Sequence, residues 1–99
     1  MVAVITLCGS TKFKNTHLAE MARLTLEGNI VIPCGLYGHA DGHGLTEDQK
    51  LALDELHLRK IDISDRIHVI NVSGYIGEST SNEIAYARAN GKEITYYDD

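Results

Sequence analysis

Ninety-nine residues, 43% of them apolar, are enough for one domain whose core hides roughly two thirds of the unfolded surface. The net charge of -5, with acids and bases interspersed, provides no basic stripe, so no nucleic acid polymer is expected as a partner. No apolar run reaches the length of a membrane span and the chain enters a strand without a charged leader; a cytoplasmic protein with no membrane association is expected, with Cys8 and Cys34 reduced.

Residues 2–8 read as a short buried strand. Gly9-Ser10-Thr11 leads from it into a helical pattern carried by Phe13, His17, Leu18, Met21, Ala22 and Leu24, which stops at Gly28. A strand ending in Gly-Ser-Thr at a helix N-terminus offers backbone N–H groups and two hydroxyls to an anion or a sugar, although a helix cap is the simpler account of either hydroxyl taken alone. Residues 29–34 form a second strand centred on Ile30, Val31 and Ile32, and Pro33 marks it as an edge. The segment GLYGHADGHGLT that follows is rich enough in glycine to carry ligand contacts. His39 and His43, after Cys34, match no metal-ligand spacing, and neither a metal nor a cofactor is expected.

Thr46 and Gln49 form a capping box for a second helix running to about Ile61, with Leu51, Ala52, Leu56 and Ile61 or Ile63 as its buried stripe. Arg59 and Lys60 suit the C-terminal end of the helix dipole; His57 has no such ready account. From Arg66 to Val72 the chain is nearly continuously apolar and β-branched around His68 and Asn71, as in a central strand covered on both faces. Gly74 and Gly77 then bracket Tyr75 and Ile76 in a segment that bends sharply or admits something close to its backbone. Thr80 reads as the N-cap, and Glu83 as the third residue, of a capping box opening a helix over 81–90; Gly91 ends it and residues 93–97 make a last strand.

The order of elements predicts a small flavodoxin-like or Rossmann-like α/β unit of three layers, with a four-stranded parallel sheet of order 2-1-3-4. In that order the first and third strands are neighbours, so the Gly9-Ser10-Thr11 loop and the stretch from Gly74 to Glu83 face one crevice. The glycine fingerprint of dinucleotide-binding dehydrogenases and the lysine-bearing phosphate loop are both absent.

Cys8-Gly9-Ser10 and Glu83-Ile84-Ala85-Tyr86-Ala87, in this order of elements over residues 1–99, resemble the nucleoside 2-deoxyribosyltransferase family and its relatives that hydrolyse deoxynucleoside monophosphates. The run INVSGYIGESTSNEIAYA is most similar to a branch of small bacterial and phage proteins with this fold. The resemblance implies a nucleoside or nucleotide as small-molecule partner and Glu83 as the nucleophile that takes the deoxyribosyl group from its base. Glu78 or His57 would protonate the departing base. Cys8, Gly9, Ser10 and Thr11 from the first loop, with Asn71, Gly74, Tyr75, Gly77, Ser79 and Thr80 from the third, would surround sugar, phosphate and base, and Tyr37 or Tyr75 would stack on the base. Where that family places an aspartate near the ribose, this chain has His57 or, with a shifted alignment, Asp54 or Asp62. The transferases also carry an aspartate before the nucleophile, where this chain has Gly77, Glu78 and Ser79. A non-catalytic nucleotide-binding module on the same fold is therefore the alternative. A homo-oligomer is expected, because Ile94-Thr95-Tyr96-Tyr97 ends the sheet on an aromatic surface that wants cover.

Overall fold

Apolar, β-branched segments pair in parallel when helices cover both faces of the sheet they make. In the structure, a computed structural model describing residues 2–38, 42 and 44–98, strands β1 (Val4–Gly9), β2 (Ile30–Ile32), β3 (Arg66–Ile70) and β4 (Glu93–Tyr96) form one parallel sheet in the order β2-β1-β3-β4. This is the predicted 2-1-3-4 order. His39 and His43 lie outside the described residues.

Side-chain alternation along the strands divides the core in two. Ile5 and Leu7 of β1 pack with Met21 and Leu24 of helix α1 (Lys14–Leu26) on one face. Cys8, Ile67 and Val69 turn to the other, against Ile61 of α2 (Glu47–Asp62) and Ile84 and Ala87 of α3 (Glu78–Ala89). Each such aliphatic side chain, fully buried, contributes about 1.5–3 kcal/mol relative to exposure. At the carboxyl ends of the central strands Gly9 pairs with Ile70, and a Cβ on Gly9 would lie 2.6 Å from the Ile70 carbonyl oxygen. With φ at +140° as well, that closure requires glycine. Among the described residues no helix is long and apolar enough to cross a membrane.

Two helices differ from the sequence reading. The Thr46–Gln49 capping box of α2 forms as expected, but Leu51, Leu56 and Ile63 are 59%, 56% and 70% exposed and Ala52 is exposed too. The row turned toward the sheet is Leu53, His57 and Ile61, four residues apart, so a histidine occupies what an apolar pattern would assign to leucine. Helix α3 starts three residues before the expected 81. Gly77, in extended conformation, is its N-cap, and no side chain caps it; Thr80 is the buried third residue rather than the cap. Glu83 is the sixth helical residue, too far along to bond back to the N-cap N–H. The capping role open to Glu83 in the sequence is thereby removed.

Candidate functional site

The carboxyl ends of β1 and β3, the start of α3 and the inner face of α2 enclose a crevice of about 750 Å³. Parallel strands all end on this side, and the first turn of α3 brings its unbonded N–H groups to the same place. Gly9, Ser10 and Thr11 line it from the first loop and Tyr75, Gly77, Glu78, Ser79, Thr80 and Glu83 from the third, so the structure brings together the two loops that the strand order predicted would meet. His57 and Asp54 of α2 complete the wall opposite.

The other predicted contacts have other places. Asn71 is buried, and its side-chain amide bonds twice to the backbone of Asp98, donating to the carbonyl at 2.9 Å and accepting from the N–H at 2.8 Å; its polarity serves the end of the sheet. Gly74 bends the chain: it has φ +80°, follows Ser73 at φ +54°, and has open space where a Cβ would be, so the sharp bend is the reason for glycine there. Tyr37 sets its ring edge-on against His17, with centroids 5.7 Å apart, and is not among the lining residues. Tyr75 does line the crevice. It is held there edge-on to Phe13 at 5.8 Å and under the Lys12 ammonium, 3.6 Å from its ring centroid. Ser10 accepts a bond from the Lys12 N–H and so also caps the short 3-10 turn Thr11–Phe13.

At the floor three side chains from three elements converge. Cys8 Sγ of β1 lies 3.2 Å from His57 Nε2 of α2, which lies 3.6 Å from Glu83 Oε1 of α3. All three donor atoms are within 4.8 Å of one another. Burial pushes the Glu83 carboxyl up to about 7; the Cys8 thiol, donating to it, pulls the other way, Asp54 adds to the rise and Lys60 opposes it. Burial, with the Lys60 and His17 charges, pushes His57 down to about 4. His57 is therefore a neutral imidazole at neutral pH, and its contact with Glu83 is not an ion pair there. Burial, with the Glu83 charge adding to it, raises the Cys8 thiol well above its ordinary value. A fully buried thiol so disfavoured as thiolate is no nucleophile, although Cys8, His57 and Glu83 together have the composition of a cysteine-hydrolase triad.

Sequence reasoning missed Lys60, assigned only to the helix dipole. Its ammonium donates to the carbonyls of Pro33 and Cys34 at 2.9 and 3.0 Å, tying α2 to the exit of β2 beside this floor. The i,i+3 spacing from His57 was the signal available. Asp54, named only as a shifted alternative, lines the crevice, whereas Asp62 bonds Tyr86 and Arg59 away from it. The chain matches no family model and no curated protein.

Proposed function

We propose that this protein cleaves or transfers the N-glycosidic bond of a nucleoside or nucleotide, as the resemblance to the nucleoside 2-deoxyribosyltransferases implies, with Glu83 as nucleophile. The observation that carries this reading is a largely buried carboxylate at the floor of a crevice at the strand ends that Gly9, Ser10 and Thr11 also line, where burial pushes it up to about 7. The ionised Glu83 oxygen attacks the anomeric carbon, the carbon–nitrogen electron pair leaves with the base, and the base takes a proton from an acid on the wall. Water or a second base then displaces the carboxylate from the sugar and restores it. Of the two acids the resemblance suggests, neutral His57 is suited to positioning Glu83 through its 3.6 Å contact, and Glu78, at the first position of α3, is left as proton donor. Ser10, Thr11, Ser79 and Thr80 supply hydroxyls for the sugar or a 5'-phosphate, and Tyr75 a ring for the base.

The second reading, a non-catalytic module holding the same ligand, is favoured by one feature: Glu83 is already engaged by the Cys8 thiol. A panel of nucleosides and nucleotides, assayed for free-base release and thermal shift, separates the two. Release that disappears in Glu83→Gln supports the enzyme; shift without release supports the module; neither response to any member sinks both.

The same reading includes a homo-oligomer in the cytoplasm. Its supports are two free cysteines, which suit a reducing compartment, the edge strand β4 next to half-exposed Tyr97, and the uncovered Leu51, Leu56 and Ile63. Sedimentation as a monomer at micromolar concentration would remove the oligomer.

A further inference from the structure

Two neighbours approach the same nitrogen of His57, sulfur from one side and a carboxylate oxygen from the other, and Nε2 can offer only one hydrogen or one lone pair to them. A tetrahedral ion with bonds of about 2.3 Å to sulfur and about 2.0–2.2 Å to nitrogen and oxygen sets its ligand atoms about 3.3–3.6 Å apart. The observed 3.2 and 3.6 Å are close to those edges, with all three atoms inside 4.8 Å. The three donors also come from β1, α2 and α3, so the packing of the fold holds them together rather than one flexible loop.

We propose that the floor of the crevice is a binding site for a thiophilic divalent metal ion of the zinc class, held by Cys8 Sγ, His57 Nε2 and Glu83 Oε1. Cys8 lies beneath the crevice while His57 and Glu83 line it, so the fourth position faces the cavity and is open to water or to a ligand. Three protein ligands and one open position make an exchangeable centre, not a closed structural one. The thiolate and the carboxylate balance the two positive charges, and the thiol proton leaves to solvent as the metal–sulfur bond forms, with no change of oxidation state. Sulfur in the set selects Zn2+ and Co2+ over Mg2+ and Ca2+. Lys60 is the nearby cation that opposes the ion, and its bonds to the Pro33 and Cys34 carbonyls fix its ammonium on them. One consequence rests on the reading under Proposed function: with its oxygen on a metal, Glu83 is no longer a nucleophile, so the ion would switch base release off.

The test is a Co2+ titration of the full chain after stripping with a chelator, with no substrate present. One equivalent should give a thiolate-to-cobalt charge-transfer band and the visible bands of four-coordinate Co2+, and Zn2+ should displace it. Cys8→Ser should lose the charge-transfer band, and Cys34→Ser should keep it. His57→Asn and Glu83→Gln should keep the band but bind more weakly by at least the roughly 10–100-fold that loss of an outer-shell partner costs. Absence of the band in the folded parent protein, its persistence in Cys8→Ser, or equal displacement by Mg2+ overturns the site. Should Cys8→Ser not fold, undiminished affinity in folded His57→Asn overturns it instead. Failure of base release leaves these spectra standing, so the two readings fail separately. If base is released at the same rate with one bound Zn2+, the switching consequence is overturned.

Discussion

Among the described residues two glutamate–histidine pairs lie largely buried, one on each face of the sheet, and they are opposites. On the α1 face Glu20 Oε1 meets His68 Nε2 at 2.8 Å, His68 Nδ1 meets Thr95 Oγ1 at 2.7 Å, and Arg23 grips both Glu20 oxygens at 2.9 and 3.0 Å. The Arg23 bonds, with those of His68, hold the Glu20 carboxyl below its ordinary value against the effect of burial. On the α2/α3 face the Glu83–His57 contact is 3.6 Å, no arginine joins it, and burial wins: Glu83 rises to about 7 and His57 falls to about 4. The same two residue types give a satisfied structural network where a cation and a hydroxyl complete them, and a poised, under-bonded site where they open on a crevice.

The largest effect that tests this contrast is on activity. If the chain releases base as proposed, Glu83→Gln should abolish that release by orders of magnitude, and Glu20→Gln should leave the rate per folded molecule close to that of the parent; equal losses in both would erase the distinction. Stability should respond in the reverse order. Glu20→Gln breaks a nearly buried charged network and should cost about 2 kcal/mol, or about 10 °C in melting temperature for a domain of this size. Glu83→Gln should raise the melting temperature at pH 7, because the raised Glu83 value costs the folded state up to about 3 kcal/mol there that an amide does not, and the gain should shrink as pH falls toward 4.5.

Acid dependence sharpens the contrast further. Glu20, with its folded value below 4.5, contributes stability that is complete above 4.5 and is lost as pH falls through that folded value. Glu83, raised from 4.5 to about 7, loses stability as pH rises between those values. His57, lowered from 6.5 to about 4, loses it as pH falls between them, and His17, also lowered by burial, acts in the same direction. Between pH 4.5 and 6.5 the Glu83 trend opposes those of His57 and His17, so chemical denaturation of the parent should show a smaller slope there than that of Glu83→Gln. In Glu83→Gln the histidines act alone and stability should fall on acidification; a flat profile in that variant would contradict the assignment. The smallest effect is on the rate profile: base release should rise with pH through about 7 as Glu83 ionises, and Cys8→Ala, which removes a thiol donor, should move that midpoint upward.

Much of this was legible in the sequence. The β-branched runs and their spacing led to the sheet order, and the order led to the crevice, because the chirality of crossovers leaves few alternatives. The Thr46 capping box was legible because both of its partners are local. The start of α3 was not: Thr80-Ser81-Asn82-Glu83 has the form of a capping box, yet a glycine three residues earlier serves as N-cap, and Thr80 is turned inward to be buried. The floor was only half legible. Glu83 and His57 could be named, but residues 8, 57 and 83 have no spacing that announces a cluster, and His57 hides in a row that hydrophobicity alone would have turned away from the sheet. Lys60 looked like any helix-terminal cation.

The pair of hydrogen bonds between the Asn71 side chain and the Asp98 backbone extends the last strand past Tyr96, and the Tyr97 N–H donates to the Val69 carbonyl at 2.8 Å. In a parallel sheet this sets the direction in which polypeptide leaves the domain. Whatever is fused after residue 98 departs at the carboxyl ends of the strands, beside Asn71 after β3, while a fusion ahead of residue 2 departs at the opposite, amino end, in front of the central strand β1. An affinity tag or fluorescent partner joined at the front therefore leaves the end of the sheet that carries the crevice clear, and one joined at the back shares that end.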